Sequence, residues 1–179
     1  MNDLHVQRFL RQQPLNEIQE YRVKHRRHGR FPNLVLLKYD IKAPFGEPLV
    51  QECRGIVLDE SDGWKVVSRA FDKFFNHGEG HAAPIDWSTA RVQEKLDGSL
   101  AVMYHYAGEW HVATSGSPDA SGVVQKAGDR TAGAYGDRTF AQYFWETFAA
   151  EGGELPPSGH DTFPLKREYQ ALLRAGPNS

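Results

Sequence analysis

The sequence predicts an α+β fold in which antiparallel sheets alternate with flanking helices. Three observations carry this reading. Short β-rich runs recur at 34–40, 54–59, 64–69, 100–106 and 110–114. The second and third of these runs, and again the last two, are separated only by turn residues, as in hairpins. Apolar residues at helical spacing bracket the runs at both ends of the chain. Hairpin connections argue against a doubly wound parallel sheet.

Taken in order, Leu4, Phe9 and Leu10, then Leu15, Ile18 and Tyr21, fall roughly at helical spacing, with Pro14 interrupting or restarting the helix. Gly29 and Pro32 break that pattern. LVLLKYD (34–40) then begins the strand signal, and RGIVLD (54–59) and WKVVSR (64–69) flank Ser61, Asp62 and Gly63 as a hairpin. LAVMYHY (100–106) turns through Ala107, Gly108 and Glu109 into WHVAT (110–114). Residues 115–137 are rich in Gly, Ser, Ala and Asp and show no period. Phe140, Tyr143, Phe144 and Phe148, at offsets of three and four, mark the core-facing stripe of a helix over 138–150. A loop at 151–159 leads to a final stretch that begins like a strand and turns polar and helix-like.

The 179 residues, 40% hydrophobic and 25% charged, suit a single domain spanning 1–179. Apolar runs such as LVLL (34–37) are far too short to cross a bilayer, and MNDLHVQRFL lacks the layout of a signal peptide. A cytoplasmic protein is expected, and the single cysteine, Cys53, excludes an internal disulfide. The net charge of −2 does not advertise a nucleic-acid binder. Arg22, Lys24, Arg26, Arg27 and Arg30, interleaved with His25 and His28, could meet a phosphate backbone. The cluster reads more simply as a solvated helix end carrying favourable cations.

The string richest in chemistry is EKLDGSL (94–100), where Lys95 follows a β-rich run and precedes Asp97 and the tight Gly98–Ser99 pair. Glycine there permits close approach of a phosphate. A lysine becomes a nucleophile when desolvation or neighbouring cations depress its pKa. Alone, K-x-D-G is also the sequence of an ordinary surface turn. His77, Glu79 and His81 alternate in a way unlike a helical zinc motif, and two exposed loop histidines are expected. Neither SGSPDASG (115–122) nor AGDRTAGAYG (127–136) has the spacing of a P-loop.

The context of Lys95 is more specific. ECRGIVLD (52–59), SRAFDKFFNHGE (68–79), K-x-DGSL and then a hairpin ending in TSGS (114–117) follow one another in that order. The arrangement resembles the N-terminal portion of phage-type, ATP-dependent RNA ligases, members of the covalent nucleotidyltransferase superfamily, over roughly residues 30–165. The resemblance implies an incomplete nucleotidyltransferase (ATP-grasp-like) domain. It implies that Lys95 attacks the α-phosphorus of ATP to form lysyl-AMP, that AMP passes to an RNA 5′-phosphate, and that a 3′-hydroxyl then seals the strand. Arg54 and Lys73 match positions that contact the phosphates of ATP. Such cations would neutralise departing pyrophosphate and favour the neutral amine of Lys95. Glu94 would recognise the adenine edge, and Asp97 and Gly98 would hold the Lys95 loop. Phe75 either packs beside the nucleotide or fills the core with Phe71 and Phe74. The implied cofactors are ATP and magnesium, and the implied partners are RNA ends.

The sequence departs from the family in two places. Ser115 stands where relatives usually carry a basic residue. After DTF (161–163), PLKREYQALLRAGPNS replaces the expected FE-x-x-x-P-x-NRIV string, and the later glutamate and lysine motifs, which would sit near the metal and phosphates, are missing. This predicts either a chain cut short or a divergent relative, with residues 164–179 packing poorly or forming an isolated helix. Weak or absent labelling by ATP is expected, since removing one preorganised group typically costs on the order of 10²–10³ in rate. The alternative function is an inactive nucleotide- or RNA-binding remnant, or a chain whose missing motifs a second polypeptide supplies.

Overall fold

The structure is a computed structural model that describes residues 3–91, 98–124 and 138–155. Its helices are α1 (His5–Gln12), α2 (Pro48–Glu52) and α3 (Phe140–Ala150), with a 3-10 helix at Leu15–Tyr21. Strands β1 (Val23–Arg27), β2 (Leu34–Tyr39), β3 (Arg54–Asp59) and β4 (Lys65–Ser68) form one antiparallel sheet in chain order. Strands β5 (Ala101–Tyr106) and β6 (Glu109–Thr114) form a separate hairpin. The α+β class with antiparallel sheets is as the sequence predicts.

Side chains alternate across a strand, so the four-stranded sheet has two faces to cover. On one, Val35, Leu37, Ile56 and Leu58 pack with Val6, Leu10, Ile18, Leu49 and Val50 from the helices. On the other, Leu34, Leu36, Val57 and Val67 pack with Tyr104 and Ala113 of the hairpin. The far side of the hairpin, Met103 and Val112, meets Phe144 and Phe148 of α3. The layers therefore run helices, sheet, hairpin, helix. Covering β2 on both faces explains why LVLL is apolar without alternation.

Buried polar groups fix the joints between layers. The buried Glu52 carboxylate accepts from His5 N (3.1 Å) and Val6 N (2.8 Å), so α2 caps the amino end of α1. Asp59, also buried, accepts from Asn33 Nδ2 (2.9 Å), Ser61 N (2.9 Å), Ser61 Oγ (2.6 Å) and Tyr106 Oη (2.8 Å). That network binds the sheet to the hairpin. The Tyr104 hydroxyl donates to Pro118 O at 2.6 Å beneath the turn that follows β6.

The basic cluster corrects the helix-end expectation. Arg22 adopts a left-handed φ of 56° after the 3-10 helix, and the chain continues as edge strand β1. Its cations are largely engaged, through Lys24–Asp40 (3.5 Å), Arg27–Glu60 (2.6 Å), Arg30–Glu109 (2.7 Å) and Arg26 Nη2 donating to Ser121 Oγ (3.0 Å). Charges on an edge strand also discourage pairing with another chain.

The hairpin turn is tighter than the sequence suggested. Tyr106 pairs with Glu109, so only Ala107 (φ 51°) and Gly108 (φ 83°) turn, as in a two-residue primed turn. The Phe140–Phe148 stripe faces inward as expected, with Phe144 and Phe148 buried. Among the described residues no helix is long and apolar enough to cross a membrane. The expected helix or poor packing at 164–179 lies outside the described residues.

Candidate functional site

The ECRG string contributes two structural residues and one exposed to function. Glu52 is the helix cap described above. Cys53 is fully buried, and its thiol donates to Leu49 O at 3.0 Å. Burial, with Glu52 and Asp72 nearby, pushes that thiol far up its scale, so it is an inert core group. Arg54 is the residue left to meet solvent.

A β-bulge decides where Arg54 points. Leu37 pairs with Ile56, but the next residue, Lys38, pairs with Arg54, so Gly55 is the extra residue of β3. Its φ of +85° suits the glycine of a bulge. Without the bulge Arg54 would share the helix-covered face of Ile56. With it, Arg54 lies opposite Lys38, on the face continuing Leu34 and Leu36. A Cβ at Gly55 would also stand 2.8 Å from Ser115 Cα. The TSGS turn therefore sits directly against the bulge, backbone to backbone.

Arg54 Nη1 donates to Asp72 O (3.3 Å), and its guanidinium stacks over Phe74 at 4.1 Å from the ring centroid. The Asp72 carboxylate is held by Arg69 through Nη2 (2.6 and 2.7 Å) and Nε (3.1 Å) and does not neutralise Arg54. Lys73 N donates to Gln51 O (2.8 Å), and Gln51 Nε2 to Phe45 O (2.7 Å), which ties the KFFN segment to α2. The Lys73 ammonium sits 4.6 Å from the Phe75 centroid and 5.2 Å from that of Phe45, and donates to Phe74 O (3.1 Å). Phe45 in turn makes an edge contact with Tyr39 at 5.0 Å. Burial raises the Tyr39 pKa, and the charge of Arg54 opposes that rise, so Tyr39 lies within the field of the guanidinium.

Arg54 and Lys73 thus reach one end of the sheet, framed by Tyr39, Phe45, Phe74 and Phe75. Phe71 and Phe74 are exposed and form no core with Phe75. Phe75 itself is half-buried against Phe45 and His81. Gly98 is exposed with φ +136° and nothing within 4 Å of a would-be Cβ, a conformation that favours glycine. Glu94, Lys95 and Asp97 lie outside the described residues. Gly98 leads into β5, whose first residue, Ala101, pairs with Thr114 at the start of the TSGS turn.

In HGEGH, Glu79 accepts from Asn76 N (3.0 Å) and Asn76 Nδ2 (2.7 Å) and so closes the loop after KFFN. His77 and His81 make ring contacts with Trp87 and Phe75. Lys38, Tyr39 and Phe45 carry no local pattern that marks them; the pairing of β2 with β3 brings Lys38 and Tyr39 here, and the bond from Gln51 of α2 to the Phe45 carbonyl brings Phe45.

A sequence model of the RNA ligase family matches residues 52–152, more than half of the chain, including Arg54, Lys73 and Lys95. The chain belongs to the RNA ligase family. It is 35% identical over 139 residues to the RNA ligase of Rhodothermus phage RM378, covering 65% of this chain and 31% of that protein. To RNA ligase 1 of bacteriophage TS2126 it is 37% identical over 139 residues, covering 72% of this chain and 33% of the relative. The chain spans about a third of the length of these relatives. No solved structure matches it.

Proposed function

We propose that the chain carries the adenylate-accepting part of an ATP-dependent RNA ligase, with Lys95 as the nucleophile. The observation that supports this most directly is that Arg54 and Lys73 both meet Phe74, Arg54 over its ring and Lys73 at its carbonyl, Arg54 having no carboxylate ion pair among the described residues and Lys73 only the more distant charge of Glu79. Two cations so placed suit a polyphosphate. Family membership adds the expectation of the K-x-DGSL nucleophile.

In this reading the neutral Lys95 amine attacks the α-phosphorus of ATP. The bond from that phosphorus to the bridging oxygen of pyrophosphate breaks, pyrophosphate leaves, and the amine loses a proton to form the phosphoramidate. Arg54 and Lys73 take up the charge developing on the leaving group and keep the amine deprotonated. Glu94 recognises the adenine edge, Phe75 flanks the nucleotide, and Asp97 and Gly98 shape the loop. AMP then passes to the 5′-phosphate of RNA, and a 3′-hydroxyl displaces it. Magnesium would shield the phosphate charge when bound. Among the described residues no group of three His, Cys, Asp or Glu side chains is placed to hold a metal, so no step is assigned to it.

Incubation with α-labelled ATP and magnesium is expected to leave weak label on the protein that survives denaturing electrophoresis. Lys95→Ala should abolish the label while sparing ATP binding, and Arg54→Ala should weaken binding itself. Label that persists in Lys95→Ala refutes the assigned nucleophile. Binding without any label in the unaltered chain favours the binding remnant.

A further inference from the structure

The pairing of β2 with β3 places Lys24, Lys38 and Arg54 in a row, since Lys38 is registered with Lys24 on one side and Arg54 on the other. Directly opposed like charges destabilise a sheet. Lys24 is relieved by Asp40. Lys38 and Arg54 have no carboxylate partner among the described residues. Lysines that guard a sheet edge are common, but β2 and β3 are the interior strands of this sheet, so edge protection does not account for Lys38. The pairing also depends on the Gly55 bulge, without which Arg54 would lie on the other face.

The position of the ammonium is equally specific. A Cβ at Gly116 would lie 3.6 Å from Lys38 Nζ, so the charge rests against the TSGS turn rather than ranging freely over the surface. The same turn touches Gly55 beside Arg54. Lys38 and Arg54 thus flank one turn from adjacent strands.

The geometry points to Lys38 as a third cation for the polyphosphate of the nucleotide, acting from strand β2 alongside Arg54 and Lys73. This rests on the proposed ATP site and adds a residue to it. An anion bound between Lys38 and Arg54 relieves their mutual repulsion, which supplies the reason for keeping two opposed cations on interior strands. Lys38 would contact phosphates beyond the α-position, so its effect should grow with phosphate number.

The test is equilibrium binding of ATP, ADP, AMP and a 5′-phosphorylated RNA oligonucleotide to the chain and to its Lys38→Met variant. Lys38→Met should weaken ATP about five- to tenfold and AMP less than twofold, with Lys38→Arg restoring most of the loss. Lys65→Met removes the same charge at the opposite end of β3, where Lys65 pairs with Asp59, and should change nothing. Equal losses for ATP and AMP, or no loss for either while Arg54→Ala still weakens ATP, overturn the role of Lys38 and leave the ATP site standing. Loss only for a 5′-phosphorylated RNA oligonucleotide overturns it too, by assigning the charge to RNA. Failure of the unaltered chain to bind ATP removes the site and Lys38 with it. Lys38 is exposed and its removal relieves the repulsion from Arg54, so the variant should be at least as stable to urea as the parent.

Discussion

Replacing Gly55 by alanine should test the joint on which the candidate site depends. Two costs arise from the structure. The φ of +85° is one that a residue with a Cβ rarely adopts, a strain of roughly 1–2 kcal/mol. The new methyl would also meet Ser115 Cα at 2.8 Å, Ser115 O at 3.2 Å and Ser115 C at 3.3 Å. These are backbone atoms that cannot swing aside as a side-chain tip would, and overpacking of this kind typically costs about 1–3 kcal/mol. Together the expected loss is about 2–5 kcal/mol, a large share of the roughly 5–15 kcal/mol that holds a domain together. For a chain of this size that lowers Tm by about 4–20 °C. Gly63→Ala is the matched control. Its φ is +58° but nothing lies within 4 Å of the added carbon, so it should show the strain alone. Urea and thermal unfolding of both variants would separate the two costs. Beyond stability, Gly55→Ala should weaken ATP binding, because the turn must move away from Arg54. A Gly55→Ala protein no less stable than Gly63→Ala would refute the close approach and the bulge geometry built on it.

Ala107 occupies a turn position that requires positive φ (51°), so Ala107→Gly should raise stability by about 0.5–1 kcal/mol, read as about 1–4 °C in Tm; a loss of stability would show that the turn is not of the primed type. Acid should weaken the fold through Asp59 and Asp119. Burial pushes both carboxyls up, but hydrogen bonds to Asp59 from Ser61, Asn33 and Tyr106, and to Asp119 from Ser117, Ser121 and Gly29, outweigh it and hold both below the usual range. A carboxyl depressed in the folded state contributes its full stability above its unfolded pKa of about 3.9 and loses it as pH falls through the folded value. Urea midpoints should therefore drop progressively below about pH 4, and Asp59→Asn should make that decline shallower; an unchanged pH slope would mean that Asp59 is not held by these bonds.

The periodic part of the fold was legible in the sequence because a strand or helix with one face in the core writes its period into the residues it buries. That holds for the Phe140–Phe148 stripe, whereas β2 and β3, covered on both faces, were legible as short apolar runs bounded by turn residues. β1 reads as a helix end in the sequence because an edge strand facing solvent has no apolar alternation, only Val23 being buried in VKHRR. The five-residue α2 is too short to show a helical period.

The chemistry divides along the same line. ECRG, KFFN and K-x-DGSL are local strings, so sequence alone determined the family expectation and the roles proposed for Arg54, Lys73 and Lys95. Only the tertiary structure decided that Glu52 and Cys53 of the first string serve packing, that a bulge at Gly55 turns Arg54 toward Lys38, and that Ser115 presses against that bulge. These depend on pairings between residues far apart in the chain. A glycine in RGIVLD carries no mark of the backbone it will meet, and a lysine in LVLLKYD none of the arginine across the ladder.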